Sequence, residues 1–390
     1  MKTYDWIVIG GGITGAALSY ELAKKGFSVL LLEQSTTPGN ATRYSYGGLA
    51  YWSATTELTR QLCHEGIERN RILAAELDID TQFKILDLIL TIDPDDNLEE
   101  LARFYSQCVI PPKLISVQEA CRMEPLLNPQ NIAGAFTVKH GHINQELVTQ
   151  GYIQAMIRLK GEMQIAKVLD LIKEGDRISG VNTTTATYYS SNIAVCAGGF
   201  SRQLLTKSGI PVRLYFTHTA LIEISSPNIH LNSLVMPARI KRLQLEATSS
   251  KSELESLWNQ PENEPIPAII DSGAVQFQDG TIKLGQISRV ITDPNAKIDL
   301  KHSENTIRTQ VGKILPALAN LPGTCHHCLV AFSYNQLPVI GKIPGIEGIS
   351  IFSGFSNPLV FVPPLAQRFA NFAAGQNEPI INQLLPSLQL

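Results

Sequence analysis

DWIVIGGGITG (residues 5–15), followed by a helical stretch and then FSVLLLE (residues 27–33), is the part of the chain whose reading decides the fold. Residues 5–9 form a short apolar run of the kind a buried parallel strand shows. Gly10, Gly12 and Gly15 then make a G-x-G-x-x-G turn. AALSYELAKKG (16–26) reads as a helix, with Lys24 and Lys25 in its last turn and Gly26 where a left-handed C′ residue belongs. The second strand ends at Glu33, close to the spacing of about 20 residues expected of a ribose-binding acid. Three glycines alone are weak evidence. Placed between strand and helix, with the acid following, they point to a dinucleotide site, against the plainer alternative of a glycine-rich turn without a ligand. Gly10 permits the tight turn, Gly12 lets backbone approach a pyrophosphate, and Gly15 lets the helix pack against the strand. Ile13 and Thr14 open the helix beside the phosphates, and Gln34 follows Glu33 at the ribose end. Glu33 would accept hydrogen bonds from a ribose and repel a 2′-phosphate.

The rest of the chain agrees with a globular α/β protein. It has 390 residues, 44% hydrophobic and 17% charged, enough for roughly two to three domains. A formal net charge of −3 offers no basic field for nucleic acid. No apolar run reaches the roughly 20 residues that span a bilayer, and the N-terminus lacks a secretion-signal pattern. Six sparse, irregularly spaced cysteines suit free thiols in a reducing cytoplasm. Further along, RISGVNTTTATYYSSNIAVCAGGFSRQLL (177–205) reads as strand, strand and a third, apolar strand ending in Ala197, Gly198 and Gly199. GISIFSGFSNPLVFVPPLAQRFANFAAG (348–375) reads as strand, glycine turn and helix. Leu58, Leu62, Leu73 and Leu77 recur at helical spacing, a core stripe. NQPENEPIPA (259–268) reads as a proline-rich surface loop.

With these pieces in order, the chain resembles the FAD-dependent oxidoreductases of the D-amino-acid oxidase, glycine oxidase and sarcosine oxidase group. IAVCAGGFS looks like that family's adenosine-side strand and turn, and LPVIGKIPGIEGISIFSGFS like its closing flavin segment. The resemblance implies a Rossmann-like FAD-binding domain with an inserted α+β substrate domain on a mixed, mainly antiparallel sheet. The FAD domain would be discontinuous (1–80, 141–211 and 329–390), with a roof from 81–140 and 212–328. FKILDLILTI (83–92) and GTIKLGQISRV (280–290) read as roof strands. Besides the glycine turn, Glu33 and Gln34, the resemblance places Thr42, Arg43, Val168, Ala197, Gly198, Gly199, Cys328, Gly354, Phe355, Ser356 and Asn357 at FAD. After Gly354 the family has further glycines where this chain has Ser356 and Leu359.

In such proteins the flavin performs the hard step and the chain supplies orientation and electrostatics. The expected reaction oxidises the C–N bond of an amine or amino acid, sends a hydride to flavin N5, and uses O2 to regenerate the flavin with release of H2O2. Lys283 in TIKLG looks like the lysine that sarcosine oxidases hold over the flavin, where a fixed cation stabilises forming superoxide; a solvated strand lysine is the plainer alternative. Strand alternation puts Lys283 with Gly285, and Ile282, Leu284 and Gln286 on the other face. Arg43 in ATRYSYGG looks like a flavin-side arginine, and Tyr44, Tyr46, Tyr51 and Trp52 crowd the same loop as a candidate cavity wall. The family's carboxylate clamps fall here on Val330, Tyr46 and Phe361, none of them cationic. Either Arg43, Arg289 or another cation takes over, or the substrate lacks a carboxylate. A dehydrogenase that feeds a quinone or carrier, and a non-enzymatic flavoprotein, are the competing classes.

The tetrad Cys325–His326–His327–Cys328 leads into an expected strand, on which residues three apart face opposite ways. That opposes a shared metal ion, and the helix that normally opens at a redox C-x-x-C is missing. Cys328 occupies the position from which sarcosine oxidases attach FAD covalently. CLVAFSYN lacks the tyrosine, threonines, proline and aspartate of that motif, so attachment and a packed free thiol both stay open.

Overall fold

A computed structural model describes residues 3–37, 39–225 and 228–386. The remaining positions of the expected domain ranges, 1, 2, 38, 226, 227 and 387–390, lie outside the described residues. Two sheets organise the molecule. The first runs in the order Val339–Lys342, Ile349–Ser353, Thr187–Val195, Thr3–Ile9, Val29–Glu33 and Glu162–Ile165. Four of the five pairings along this order are parallel, as the fingerprint demands, and the edge pair Val339–Lys342 with Ile349–Ser353 is antiparallel. Both faces of Thr3–Ile9 are buried. Trp6 and Val8 meet the helices Ile13–Lys24, Gln145–Arg158 and Pro358–Ala373, while Ile7 and Ile9 join a second cluster with Leu171, Ile178 and Val181. This is why the strand reads as a continuous apolar run rather than an alternating one.

Of the three strands expected over 177–197, there are two, Arg177–Thr183 and Thr187–Val195. The start of the second, 187–189, pairs antiparallel with the first, and 189–195 pairs in parallel with Thr3–Ile9. No glycine or proline interrupts 187–195, and the Ser-Ser-Asn stretch at its middle stays extended, so one strand serves both neighbours. The leucine stripe lies on the helix Glu57–Leu77, where Leu62, Leu73 and Leu77 are fully buried and Leu58 packs alongside.

The second sheet is mainly antiparallel. Its order is Thr324–Ser333, Leu214–Ile224, Ile282–Arg289, Ile269–Gln276, Leu234–Pro237, Lys84–Ile92, Gly134–His142 and Gly48–Leu49. Both expected roof strands are present, and only Leu234–Pro237 with Lys84–Ile92 pairs in parallel along this path. The helix Leu300–Ile314 covers the outer face through Ile307 and Val311 against Ile222, Ile282, Leu284 and Ile287. The boundary drawn at 328/329 cuts Thr324–Ser333, a single strand of this sheet, and Gly48–Leu49 also belongs here rather than to the first. Hydrogen-bonded pairing, which sequence spacing does not report, sets these memberships.

Candidate functional site

The glycine turn is built by close backbone approach. Gly10 has φ +106°, and a Cβ there would stand 2.5 Å from the Cys196 carbonyl oxygen. A Cβ on Gly15 would lie 1.8 Å from the Gly10 carbonyl oxygen, so only glycine lets helix and strand meet here. Helix Ile13–Lys24 starts from Gly12, which has no side chain to cap it. The Ile13 N–H donates to Thr42 Oγ1 (3.1 Å), and the first turn otherwise faces the cavity, the arrangement that receives a phosphate. Glu33 is buried and accepts from the Gly11 N–H at 2.6 Å and the Ser35 N–H at 3.1 Å. These bonds aim its carboxylate beside the turn, and its remaining lone pairs suit ribose hydroxyls.

One cavity of about 2350 Å³ extends from this turn to the second sheet. Its nucleotide end is lined by Gly10, Gly12, Ile13, Thr14, Glu33, Gln34, Thr42, Val168, Ala197, Gly198 and Gly199. Gly199 passes close to the Thr324–Ser333 strand: a Cβ there would be 2.5 Å from Leu329 Cβ. Further in, Cys328, Gly354, Phe355, Ser356 and Asn357 line the wall. Ser356 Oγ donates to the Gln336 carbonyl (2.7 Å), so its hydroxyl is bound to a neighbouring turn. The roof end carries Tyr46, Trp52, Leu88, Leu90, Tyr105, His140, Met236, Asp271 and Gln286. Gly15 packs beneath the turn, outside this lining.

Lys283 and Arg43 are brought together, but neither lines the cavity. Lys283, 2% exposed, donates from Nζ to the Arg43 carbonyl at 2.7 Å and the Ser45 carbonyl at 3.1 Å, and lies 4.7 Å from the Phe277 ring centre. Burial first, and then the Arg43 charge, push its ammonium down to about 8. The Arg43 guanidinium turns to Glu223 in a two-pronged pair at 2.9 and 3.0 Å, and to Glu146 at 3.0 Å. Arg289 pairs with Glu264 and is likewise absent from the lining. Tyr46, Val330 and Phe361, the positions at which the resemblance puts the family's carboxylate clamps, all line the cavity.

The tetrad disperses along its strand. Cys325 packs into the cluster under Leu300–Ile314, and His326 stacks on Tyr44 with ring centres 4.7 Å apart. His327 Nε2 lies 2.9 Å from His218 Nδ1, and Cys328 lines the cavity. No cluster of three or more His, Cys, Asp or Glu suited to a metal occurs among the described residues. Burial pushes the Cys328 thiol up to about 12, with Lys283 opposing. Burial also lowers both neighbouring histidines, His327 to about 4, so neither brings a positive charge to the thiol.

Several cavity residues escape the sequence reading, among them Gln286 and His140. Strand alternation places Gln286 with Ile282 and Leu284, yet it lines the cavity with Gly285. The register slips here: Leu221 faces Gly285 while Ala220 faces Ile287, so Gln286 is the extra residue of a bulge and its side chain is re-aimed. The second is His140. Its spacing from His142 on one strand puts both on one face, a weak sign that two polar rings share a buried surface.

The comparisons with known proteins accord with this architecture. The family described as FAD dependent oxidoreductase matches residues 5–372. A glycine oxidase of Pseudomonas aeruginosa is 23% identical over 392 aligned positions, spanning 96% of each chain. In three dimensions, glycine oxidase from Geobacillus kaustophilus superposes with a TM-score of 0.77 at 17% identity, over 97% of this chain and 96% of that one. An L-proline dehydrogenase from P. horikoshii gives a TM-score of 0.76 at 18% identity, over 98% and 97%. No helix among the described residues is long and apolar enough to cross a membrane.

Proposed function

The chain belongs to the FAD-dependent oxidoreductase family, with FAD as its cofactor, and on that premise we propose that it oxidises the C–N bond of a small amine or amino acid. Bound FAD would supply the hydride acceptor for the carbon beside a neutral amine, with the resulting imine left to hydrolyse and O2 to take up the electrons as H2O2. The observation that carries this reading is the single cavity joining the glycine turn to the apolar roof. Gly10, Gly12 and the open helix start would hold the pyrophosphate, and Glu33 the ribose. Ala197, Gly198 and Gly199 would flank the cofactor, and Cys328 with residues 354–357 would meet its ring end. The roof excludes water with Trp52, Leu88, Leu90 and Tyr105. Lys283 would hold a positive charge through the Arg43 and Ser45 carbonyls, on a loop whose Ser45 and Tyr46 form the cavity wall. With Cys328 kept as a neutral thiol, FAD would be held without a covalent bond: acid precipitation of the loaded protein should give a colourless pellet, and a yellow pellet lost in Cys328→Ala would reverse this.

A second reading, a dehydrogenase passing electrons to a quinone or carrier, is favoured by one observation. The Lys283 ammonium is committed to two carbonyls and stands outside the cavity lining. Anaerobic photometric titration of the FAD-loaded protein against amines and amino acids tests the reaction. Bleaching by at least one compound is expected, whereas no bleaching by any defeats it in favour of a non-enzymatic flavoprotein. Admitting air afterwards separates the acceptors: prompt recovery with stoichiometric H2O2 supports the oxidase, and persistent bleaching the dehydrogenase.

A further inference from the structure

Tyr46, Val330 and Phe361 leave the cavity wall without a cation where the resemblance expects one. Arg43 and Arg289, turned to other acids, stand outside the lining. Two arginines line the cavity elsewhere. Arg239 follows the strand Leu234–Pro237, and Arg242 lies in the first turn of the helix Lys241–Ser249. Both belong to the roof end, whose wall also includes Leu90, Leu234 and Met236. Lys167, Arg202 and Lys207 line the cavity too, on segments joined to the first sheet. Arg202 gives its donors to the Val212 carbonyl, Glu255 and Asn259, and Lys207 pairs with Asp170.

A guanidinium offers five N–H donors in a fixed fork and keeps its charge at any ordinary pH. Arg242 gives Nη1 to Glu246 Oε1 at 2.6 Å, and its Nε and Nη2 have no protein acceptor among the described residues. Arg239 Nε stands 2.8 Å from Asp96 Oδ1, yet this N–H is buried and makes no hydrogen bond. Its Nη2 lies 3.7 Å from Glu100, a side chain 69% exposed, where water and salt screen the attraction. Glu246 is buried with Oε2 unbonded among the described residues. Asp271, also buried, accepts the Lys241 and Arg242 backbone N–H groups at 2.8 and 3.1 Å. Burial raises both carboxyl groups above their ordinary values, with Arg242 opposing. A buried carboxyl can give up its charge by taking a proton, and an arginine cannot. An anion entering the roof end therefore meets guanidinium donors free to receive it, beside acids that can yield by protonation.

We propose that the substrate carries an acidic group on the end away from the glycine turn, and that Arg242 receives it, with Arg239 adding attraction, in place of a cation at Tyr46, Val330 or Phe361. This rests on the amine-oxidising reading above and narrows its substrate class to amines that bear an anion. The test titrates two unreactive probes of one shape, benzoate and benzamide, into the FAD-loaded protein at neutral pH, with binding read by calorimetry. Benzoate should bind about tenfold tighter than benzamide. Arg242→Met should weaken benzoate by about tenfold, and Arg239→Met by roughly threefold, while benzamide affinity and FAD content hold. Arg289→Met, outside the lining, should change neither probe. Benzoate no tighter than benzamide, or no binding of benzoate, overturns the proposal. So does an unchanged benzoate affinity in Arg242→Met, or an equal loss of both probes there. Where Arg242→Met does not fold, Arg242→Lys keeps the charge and loses the fork. A loss of a few-fold confined to benzoate is then expected, and no loss, or an equal one in both probes, overturns the proposal. Preference for benzoate without bleaching by any amine or amino acid would sink the proposed reaction and leave the anion site standing. Bleaching with preference for benzamide would do the reverse.

Discussion

At the glycine turn the cavity wall is backbone; at the roof it is side chains carried on separate strands. The turn uses the helix start at Gly12, a carboxylate fixed by two backbone N–H groups, and glycines whose missing Cβ atoms make room. The roof uses Trp52, His140, Asp271 and Gln286, contributed by a loop and three strands that meet only through sheet pairing. Backbone recognition tolerates little variation, because a methyl group in the wrong place collides with main chain. Side-chain recognition can be rebuilt residue by residue. That difference suits a chain that keeps the glycine turn while Tyr46, Val330 and Phe361, the positions expected of a carboxylate clamp, line the cavity without a cation.

The comparison can be broken most forcefully at the turn. Gly15→Val puts a branched side chain where even a Cβ lies 1.8 Å from the Gly10 carbonyl. The expected cost is about 3 kcal/mol or more, with bound flavin lost on desalting. Retention of full FAD content would show that the close packing is dispensable. Next is Lys283→Met, which removes the buried cation near the Arg43 loop. On the oxidase reading, flavin reoxidation by O2 slows roughly a hundredfold while reduction by substrate is little altered. The ammonium is the protonated form and persists below about 8. Wild-type reoxidation should therefore slow as pH rises through that value, and the slowing should be missing from Lys283→Met. An unchanged O2 rate in the variant would favour the dehydrogenase.

A smaller effect is expected for Glu33→Gln, which keeps the shape but loses the charge that accepts from the Gly11 N–H. FAD affinity should fall about tenfold, read from flavin fluorescence on titration. The smallest belongs to Glu223→Gln, which removes the two-pronged partner of Arg43 and leaves it Glu146. The side chains are 28% and 15% exposed, and solvent screening limits such a pair to about 1 kcal/mol or less. A melting shift of a few degrees with unchanged FAD content is expected. A large loss of FAD would instead make Arg43 a part of the cofactor site.

Much of the nucleotide end was legible because local spacing carries it. Gly10, Gly12, Glu33, the small residues 197–199 and the Gly354 turn were readable in order, and all line the cavity. The tetrad was legible in a negative sense, since strand geometry alone separates Cys325 from Cys328. Gln286 was not, because a bulge shifts the face of every later residue and leaves no mark in composition. Arg43 also shows the limit. Its chain position beside the cavity loop was clear, but the direction of its guanidinium was set by Glu223, a residue on the Leu214–Ile224 strand of the second sheet.

By itself, then, the amino-acid sequence determined the parallel sheet, the glycine turn, the acid at its second strand and the family, all written in residues close along the chain. Only the tertiary structure decided that Lys283 holds a loop rather than a cavity wall, that Trp52 donates to His140, and that Arg43 turns to Glu223 and Glu146. The physical reason is the range of the interactions. Turn and strand preferences act over a few neighbouring residues, whereas a hydrogen bond or ion pair across a sheet depends on where a distant strand has been laid down.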